Sequence, residues 1–513
     1  MPPLHDGKGR TPMRELRTDR GSTGPDPRRW QVLGILSLAL FVIILNNGLL
    51  HVALPSLMRD LHAGIGLTQW IVDGYALVFA ATLLTAGTLS DRYGRKRATL
   101  FGMALFGAGS LVALATDGAG QLIAARAVMG VAAAFVMPGT LSILVDVFPE
   151  EERPRAIAVW GSTSALGVAA GPVVGGALVQ HFWWGSVFLV NLLPVAAVLV
   201  AGAVLLPESA APVPRPADPL GAVLGSAGMV GLVYGAIHAA DRGWTSATVL
   251  ASFGAAGVAG ALFVAWERRH PYPMVDFALL RRPAFLGASL GNMLLFLGLA
   301  GTLFVLTQRL QFALGYGPLR AGLAVAPLAL AVGLGSAAAP WLARRAGPRG
   351  GVAGGLAVTA TGIWTLGTMS GGYPGVLSGL CLSGIGVGLA LAPATDTVMG
   401  LVPPERSGNA AALNDTMQEL GNALGVAVVG TVLAHGYSTA AGAAPLSERT
   451  GHLFEQAASD GFRVAAALVA AGAVLSGLLL PGPAPTVPSG SDPGKDVEDH
   501  RPPGADSTRQ RTA

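Results

Sequence analysis

Apolar residues run in long stretches along this chain, and short polar turns separate one stretch from the next. A transmembrane helix needs about 20 consecutive, predominantly apolar residues. Fourteen windows meet that length, so the pattern predicts an all-α integral membrane protein with both chain ends on one side of the bilayer. The windows lie near 31–54, 68–89, 98–116, 121–145, 156–179, 185–206, 220–240, 247–266, 284–307, 319–342, 351–370, 374–400, 410–435 and 461–481.

Composition supports a location in the membrane. Hydrophobic residues fill 52% of the 513 positions, charged residues fill 12%, and the mean hydropathy is +0.55, which leaves too little polar surface for a soluble protein of this length. Of the 33 Lys and Arg, 26 fall in the tails and in the turns after even-numbered windows. The positive-inside rule therefore predicts cytoplasmic termini. The net charge of +4 reflects this asymmetry and does not indicate a nucleic-acid partner.

The two ends of the chain are polar. Residues 1–29 are rich in Arg and precede no small-residue cleavage site, so we expect a cytoplasmic tail and no removable signal peptide. Residues 482–513 are rich in Pro, Gly, Ser and Asp, and we expect a disordered cytoplasmic tail. The lone cysteine, Cys381, excludes an internal disulfide and a cysteine metal cluster. We predict no metal and no other cofactor.

The most distinctive turn, which we call the charged turn, is residues 87–97, G-T-L-S-D-R-Y-G-R-K-R, between the second and third windows. Its four cations cannot cross a lipid core cheaply, so the turn is predicted to lie on the cytoplasmic face. Gly87 and Gly94 allow helix ends to approach closely, and Asp91 can pair with the bases around it. A basic turn that only sets topology is the alternative interpretation.

The order of residues in the charged turn resembles the G-x-L-a-D-r-x-G-R-K-x loop of the major facilitator superfamily. Four further strings look like 14-helix drug:proton antiporters of the quaternary-ammonium and antibiotic-exporting kind; they are residues 45–55, 70–73, 183–191 and 408–415. The resemblance implies a major facilitator fold of two six-helix bundles with two extra helices between them. It also implies a conformational gate, in which Asp91 pairs across the bundle interface in the outward-facing state and releases in the inward-facing state. The gate residues are Gly87, Asp91, Arg92, Gly94 and Arg95.

An internal repeat predicts where the extra helices lie. The turn at residues 344–349, R-R-A-G-P-R, follows the tenth window and echoes the Arg and Gly spacing of residues 92–95, which follow the second window. If the two turns are equivalent, windows seven and eight are the insertion. The predicted segments are an N-terminal bundle at 30–206, two inserted helices with linkers at 207–283, and a C-terminal bundle at 284–481.

The fifth window contains closely spaced small residues. Gly167, Gly171, Pro172 and Gly175 form two overlapping G-x-x-x-G spacings around a proline. Small residues four apart make a smooth helix face that a neighbour can approach, and the proline can kink the helix. Static close packing is one interpretation of this string. The string also resembles the g-x-x-x-G-P-x-x-G-G signature of facilitator exporters, which implies export.

Ionisable side chains inside apolar windows are costly and mark candidate functional positions. Asp73 follows Trp70 by three residues, so its charge and the indole ring together can attract a lipophilic cation. The alternative is that Asp73 marks the outer start of the second helix. The resemblance assigns this acid to the cation pathway. Asn46 stands where the family commonly has an acid, which puts proton coupling through the first helix in doubt. We predict Trp70, Asp73 and Asn46 as substrate-binding residues.

Three further ionisable residues are candidates for proton coupling. Arg126 stays protonated in the fourth window and needs a partner, and the resemblance links it to proton coupling; a structural tether is the alternative. Asp415 and Glu419 are four residues apart on one helix face, where desolvation and like-charge repulsion favour proton binding. The alternative is that both acids are solvated at the cytoplasmic surface. The lone histidines His51 and His238 are interpreted as packing residues.

These observations favour a proton-driven multidrug or antibiotic efflux transporter in the cytoplasmic membrane, with amphipathic small molecules as substrates and organic cations as the favoured class. A facilitator-type importer or exporter of a metabolite, such as a sugar or an organic acid, is the alternative. The chain is not expected to be an enzyme, because it contains no P-loop, nucleophile elbow or H-E-x-x-H motif. The expected partners are the drug substrate, protons and the lipid bilayer, and a monomer is expected.

Overall fold

The computed structural model describes residues 27–149, 151–209, 218–275, 277–369, 372–401, 407–441 and 450–482, and these residues form helices joined by short turns. The predicted tails at 1–29 and 482–513 lie almost wholly outside the described residues. The helices are α1 (Arg29–Asp60), α2 (Ile65–Tyr93), α3 (Arg95–Leu114), α4 (Ala119–Val147), α5 (Arg153–His181), α6 (Ser186–Leu205), α7 (Pro219–Arg242), α8 (Ala247–Glu267), α9 (Phe277–Leu280), α10 (Pro283–Gln308), α11 (Pro318–Val325), α12 (Pro327–Thr368), α13 (Tyr373–Gly400), α14 (Ser407–Ala441) and α15 (Thr450–Leu479).

Among the described residues, thirteen helical segments are long and apolar enough to cross a membrane. One of them, Pro318–Thr368, has 51 residues, which as a straight helix would be about 75 Å long against a hydrocarbon core of about 30 Å. Gly347, at φ 67° and ψ −177°, breaks it with a conformation that favours glycine. The segment therefore supplies two spans, and the structure agrees with the fourteen windows predicted from sequence.

The helices form two bundles. In the N-terminal bundle α1 packs on α5 and α6, while α4 packs on α2 and α3. In the C-terminal bundle α10 packs on α14 and α15, while α12 packs on α13 and α15. Side chains with almost no exposed surface fill both interiors, including Phe106 and Phe188 in the first bundle and Phe304 and Phe462 in the second. The fold is the predicted all-α arrangement of two six-helix bundles with an inserted helix pair.

The inserted pair has an asymmetric position. Helix α7 contacts both α2 and α14, whereas α8 packs mainly on α7. Asp218 caps α7 by accepting a hydrogen bond from the backbone nitrogen of Gly221 at 2.9 Å, and Ser246 caps α8 through the nitrogen of Val249. Helix α7 therefore lies along the line where the two bundles meet, which we call the seam.

Side chains join the bundles at the end of the seam opposite the charged turn. Gln311 Nε2 donates to the carbonyl oxygen of Val52 at 3.0 Å, and the backbone nitrogen of Leu319 donates to Gln180 Oε1 at 3.1 Å. Pro172 and Gly176 lie on the face of α5 that packs on α11. Val168 lies on the same face, four residues earlier and nearer the charged turn, and it is 45% exposed. The bundles are thus joined by hydrogen bonds at the end opposite the charged turn.

Candidate functional site

The charged turn is held inside the N-terminal bundle. Gly94 ends α2 at φ 111°, and a Cβ at this position would collide with the carboxylate of Glu208, so the position requires glycine. Arg95 donates to Asp91 at 2.9 Å and to Asp146 of α4 at 2.6 Å. Of the other predicted gate residues, Arg92 lies over the ring of Tyr93, and Gly87 faces Pro138. Asp91 therefore pairs within its own bundle in this structure.

The glycine string of α5 packs against α1. A Cβ added to Gly171 would lie 2.7 Å from Gly48 Cα, and one added to Gly175 would lie 2.9 Å from Leu49 Cα. Gly167 faces Ile44 in the same way, and Pro172 lies beside Gly48. The next glycine, Gly176, faces the backbone of Pro318 in α11, on the other side of the seam. One helix thus makes close contacts within its own bundle and across the seam.

Asn46 lies in a buried polar group inside the N-terminal bundle. Its Oδ1 accepts a hydrogen bond from Asn191 Nδ2 of α6 at 3.1 Å, and Asn191 also lies 3.5 Å from Ser110 Oγ of α3. Among the described residues, no hydrogen bond or ring contact joins Asn46 to Trp70 or Asp73. The structure does not bring the three predicted substrate-binding residues together, because Asn46 faces α6.

Trp70 and Asp73 lie where α2 meets α7. The Trp70 ring lies 6.1 Å from Tyr234 and 6.4 Å from His238, and the Tyr234 and His238 rings stack at 3.9 Å. Asp73 is completely buried, and neither carboxylate oxygen has a hydrogen-bond partner. A buried polar group without a partner is costly, so the position is suited to bind a proton or a cation. The aromatic neighbours from α7 could not be found from sequence, since they are more than 160 residues away in the chain.

Arg126 is the centre of a buried polar group that we call the Arg126 cluster, comprising His51, Tyr75, Arg126 and Glu419. Arg126 Nε donates to the carbonyl oxygen of Ile71 at 3.2 Å, and its guanidinium carbon lies 4.3 Å from the Tyr75 ring centroid. One guanidinium nitrogen, Nη1, is buried without a partner. Tyr75 interacts electrostatically with both Arg126 and Glu419, and His51 interacts with Arg126. The cluster joins α1, α2 and α4 to α14 of the other bundle.

The predicted acid pair of α14 lies beside this cluster. Glu419 Oε2 accepts a hydrogen bond from Asn422 at 3.4 Å, and Asp415 interacts electrostatically with Glu419. Both acids are half-buried. Next to them, Asn414 accepts a hydrogen bond from Asn292 of α10 at 3.1 Å, which fixes this part of α14 within its bundle.

A second buried arginine was missed from sequence. Arg309, only 3% exposed, lies in the π-helical turn Arg309–Ala313 that follows α10. It donates to the carbonyl oxygen of Leu366 at 2.6 Å and to Glu455 Oε1 at 2.8 Å, and it lies over the Phe462 ring. Because Arg309 lies just after the end of an apolar window, the sequence predicted it as a basic residue of a loop. Among the described residues, no group of His, Cys, Asp and Glu could hold a metal ion.

Two helical bundles that meet along a seam, with ionisable side chains buried beside it, are the architecture of a multi-pass membrane transporter. The sequence model of the Major Facilitator Superfamily matches residues 36–426. The chain belongs to the Major Facilitator Superfamily, as the charged turn predicted, and it is a transporter rather than an enzyme.

Relatives of this chain include drug exporters. It is 37% identical over 414 residues to the multidrug efflux pump LfrA of Mycolicibacterium smegmatis, covering 80% of this chain and 82% of LfrA. It is 33% identical over 431 residues to a probable actinorhodin transporter of Streptomyces coelicolor, covering 81% and 74% respectively. A crystal structure of a bacterial homologue of the human lysosomal transporter Spinster, in an inward-facing and unoccupied conformation, has a TM-score of 0.64 at 15% identity and covers 89% of this chain and 98% of that one. The structural likeness confirms the fold alone.

Proposed function

We propose that this protein is a proton-driven efflux transporter that moves amphipathic small molecules, with organic cations as the favoured class, out of the cell across the cytoplasmic membrane. The drug-exporting relatives support the direction of transport and the type of substrate. The glycine string of α5 supports export as well, because it resembles the g-x-x-x-G-P-x-x-G-G signature of facilitator exporters.

The single observation that carries the proposal is the Arg126 cluster. Its arginine lies in the N-terminal bundle, its glutamate lies in the C-terminal bundle, and Tyr75 interacts with both. The energy of a buried charge depends on its neighbours, so a proton that binds Glu419 changes the electrostatic interaction with Tyr75 across the seam. Proton binding and bundle movement are coupled when a group at the interface changes charge in this way.

Substrate binding is assigned to the region of Trp70 and Asp73. An unpaired buried carboxylate one helical turn from Trp70, whose ring contacts those of Tyr234 and His238, provides charge and cation–π attraction for a lipophilic cation. Asp73 lies on α2 of the seam, so occupancy by a cation or by a proton also affects contacts between the bundles. Arg126, Asp415 and Glu419 serve the proton, and Trp70 and Asp73 serve the substrate.

The charged turn and both termini are assigned to the cytoplasmic side by the distribution of Lys and Arg. With that orientation the hydrogen-bonded end of the seam, held by Gln180 and Gln311, faces outward, and we assign the structure to an inward-facing state. Asp91 then pairs with Arg95 in its own bundle while the transporter faces inward, and the outward-facing state brings it to the other bundle. The protein is proposed to act as a monomer.

Transport in inverted membrane vesicles tests the proposal. With an acidic lumen, ethidium or tetraphenylphosphonium should enter the lumen and raise the lumenal pH in a substrate-dependent manner. The matched control is the Glu419→Gln variant, which keeps the shape of the side chain but cannot carry the proton. A panel of cationic, anionic and neutral drugs that produces no proton flux with the unmodified protein would overturn the antiport mechanism.

A further inference from the structure

An apolar cavity of about 270 Å³ lies beside the seam, between the inserted helices and the two bundles. Its walls come from α2, α7, α8, α9 and α14, so both bundles and the inserted pair contribute to it. The cavity is on the half of the seam nearer the charged turn, since it is lined by the last half of α2 and the first half of α14. The wall residues used below are Ala81, Gly225, Phe263, Phe277 and Met417.

The walls of the cavity offer few polar partners for a water molecule. Two hydroxyl groups, those of Ser226 and Thr416, are the polar side-chain atoms among the lining residues, and each already donates to a carbonyl oxygen of its own helix, at 2.6 and 2.7 Å. A water molecule needs two to four polar partners, and apolar cavities of this kind stay dry. The cavity is also not sealed, because its wall residue Leu232 is 38% exposed. An acyl chain is the occupant that the surrounding bilayer offers, and it restores the dispersion contacts that an empty space lacks.

Positive charge lies at the end of the cavity nearer the charged turn. The Arg268 guanidinium carbon lies 5.6 Å from the ring centroid of Phe277, which is itself a wall residue. The segment from Glu267 to Arg282 also contains Arg269, Arg281 and Arg282. Its acidic residues are Glu267 and Asp276. Glu267 is 1% exposed and accepts hydrogen bonds from the backbone nitrogens of Met274 and Val275, so its carboxylate points toward the backbone of the linker. Arg268, Arg269 and Arg281 are exposed, and Arg282 donates to the carbonyl oxygen of Leu401 at 2.9 Å.

We propose that this cavity binds one acyl chain of an anionic phospholipid from the leaflet at the charged-turn end, with the phosphate of the lipid beside Arg268. Basic pockets between transmembrane helices bind anionic headgroups by the same attraction. The acyl chain would contact α2 and α14, which belong to different bundles. It would also contact α7, which packs on both of these helices. The lipid thereby fills the space between the inserted pair and the seam while the bundles are joined at the end opposite the charged turn.

Native mass spectrometry of the purified full-length protein tests the site. The protein in detergent is mixed with palmitoyl-oleoyl phosphatidylglycerol or with the zwitterionic phosphatidylcholine of the same chains, and lipid retention is recorded under collisional activation. Gly225→Leu fills the cavity, since a Cβ there first meets the Phe263 ring at an ordinary 3.5 Å. Gly257→Leu is the matched control on α8, where a Cβ would meet nothing within 4 Å.

We expect one phosphatidylglycerol on the unmodified protein and on Gly257→Leu, and none on Gly225→Leu. Arg268→Gln tests the headgroup without touching the packed interior, because Arg268 is exposed. It should weaken phosphatidylglycerol binding about fivefold, the effect of one arginine near an anionic surface, and weaken phosphatidylcholine binding less, because the choline charge offsets that of the phosphate. Equal lipid retention by the two leucine variants would overturn the cavity as the binding site. Equal binding of the two lipids, unaffected by Arg268→Gln, would overturn the assignment of an anionic lipid.

Discussion

Gln69 Nε2 of α2 donates hydrogen bonds to the carbonyl oxygens of Val426 and Ala427 in α14, both at 3.0 Å and both across the seam. The side chain has no exposed surface. Two other glutamines, Gln180 and Gln311, also bind backbone atoms of the opposite bundle at the same end. Backbone carbonyl oxygens accept from Gln69 and Gln311, and the backbone nitrogen of Leu319 donates to Gln180. Among the described residues, the hydrogen bonds that join the bundles at this end therefore come from three glutamine side chains.

Gln69→Leu is therefore expected to open the end of the seam opposite the charged turn more often. Each lost hydrogen bond removes about 0.5–1.5 kcal/mol and leaves a carbonyl oxygen without its partner, so the shift between the closed and open populations should be about tenfold. Labelling of a cysteine placed at that end of the seam measures the shift. The control is Gln121→Leu, since Gln121 lies in α4 and binds the Asp117 nitrogen within its own bundle. Equal labelling rates in the two variants would contradict the role of Gln69.

Gly171→Ala should destabilise the N-terminal bundle. The new Cβ would lie 2.7 Å from Gly48 Cα, which is backbone and cannot move aside without separating α1 from α5. Forcing such a contact costs typically about 1–3 kcal/mol, and this should lower the melting temperature of the purified protein in detergent. In the same helix, Gly161→Ala adds a Cβ that meets nothing within 4 Å, and its melting temperature should match the unmodified protein. A melting temperature that falls equally in both variants would show that α5 tolerates no added methyl group, whatever its contacts.

Asp73→Asn should abolish resistance to cationic drugs and retain the fold. The amide keeps the size of the carboxylate but removes the negative charge that attracts a cation beside Trp70. The readout is ethidium efflux from whole cells, compared with efflux of an uncharged substrate found in the same panel. Asp117→Asn, in the exposed turn before α4, is the control for loss of an acid. Ethidium efflux that persists in Asp73→Asn would place the cation site elsewhere.

The sequence predicted the spans and the family because both depend on local patterns. Lengths of apolar windows fix the helices, and the charged turn is a contiguous string whose Gly94 must adopt a positive φ. The seam depends instead on which helix faces meet, and hydrophobic windows carry little information about their neighbours. The position of α7 beside Trp70 and the electrostatic interaction of Tyr75 with Glu419 join residues far apart in the chain. Asn46 was assigned to the substrate by analogy, but its contact with Asn191 depends on how α1 faces α6.

Replacing the two charged members of the Arg126 cluster should separate proton coupling from substrate binding. Glu419→Gln removes the group that exchanges the proton but leaves Trp70 and Asp73 in place. Drug should therefore still exchange for drug across proteoliposomes, while uphill transport is lost.

Arg126→Lys keeps the positive charge but loses the planar guanidinium that lies over Tyr75 and the hydrogen bond from Nε to the carbonyl oxygen of Ile71. Uphill transport should therefore also fall, by more than tenfold if both contacts are needed. Arg463→Lys, at an exposed pair with Asp460, is the conservative control and should transport normally. Loss of drug-for-drug exchange in Glu419→Gln would show that Glu419 takes part in substrate binding, and unchanged uphill transport would exclude it from proton coupling.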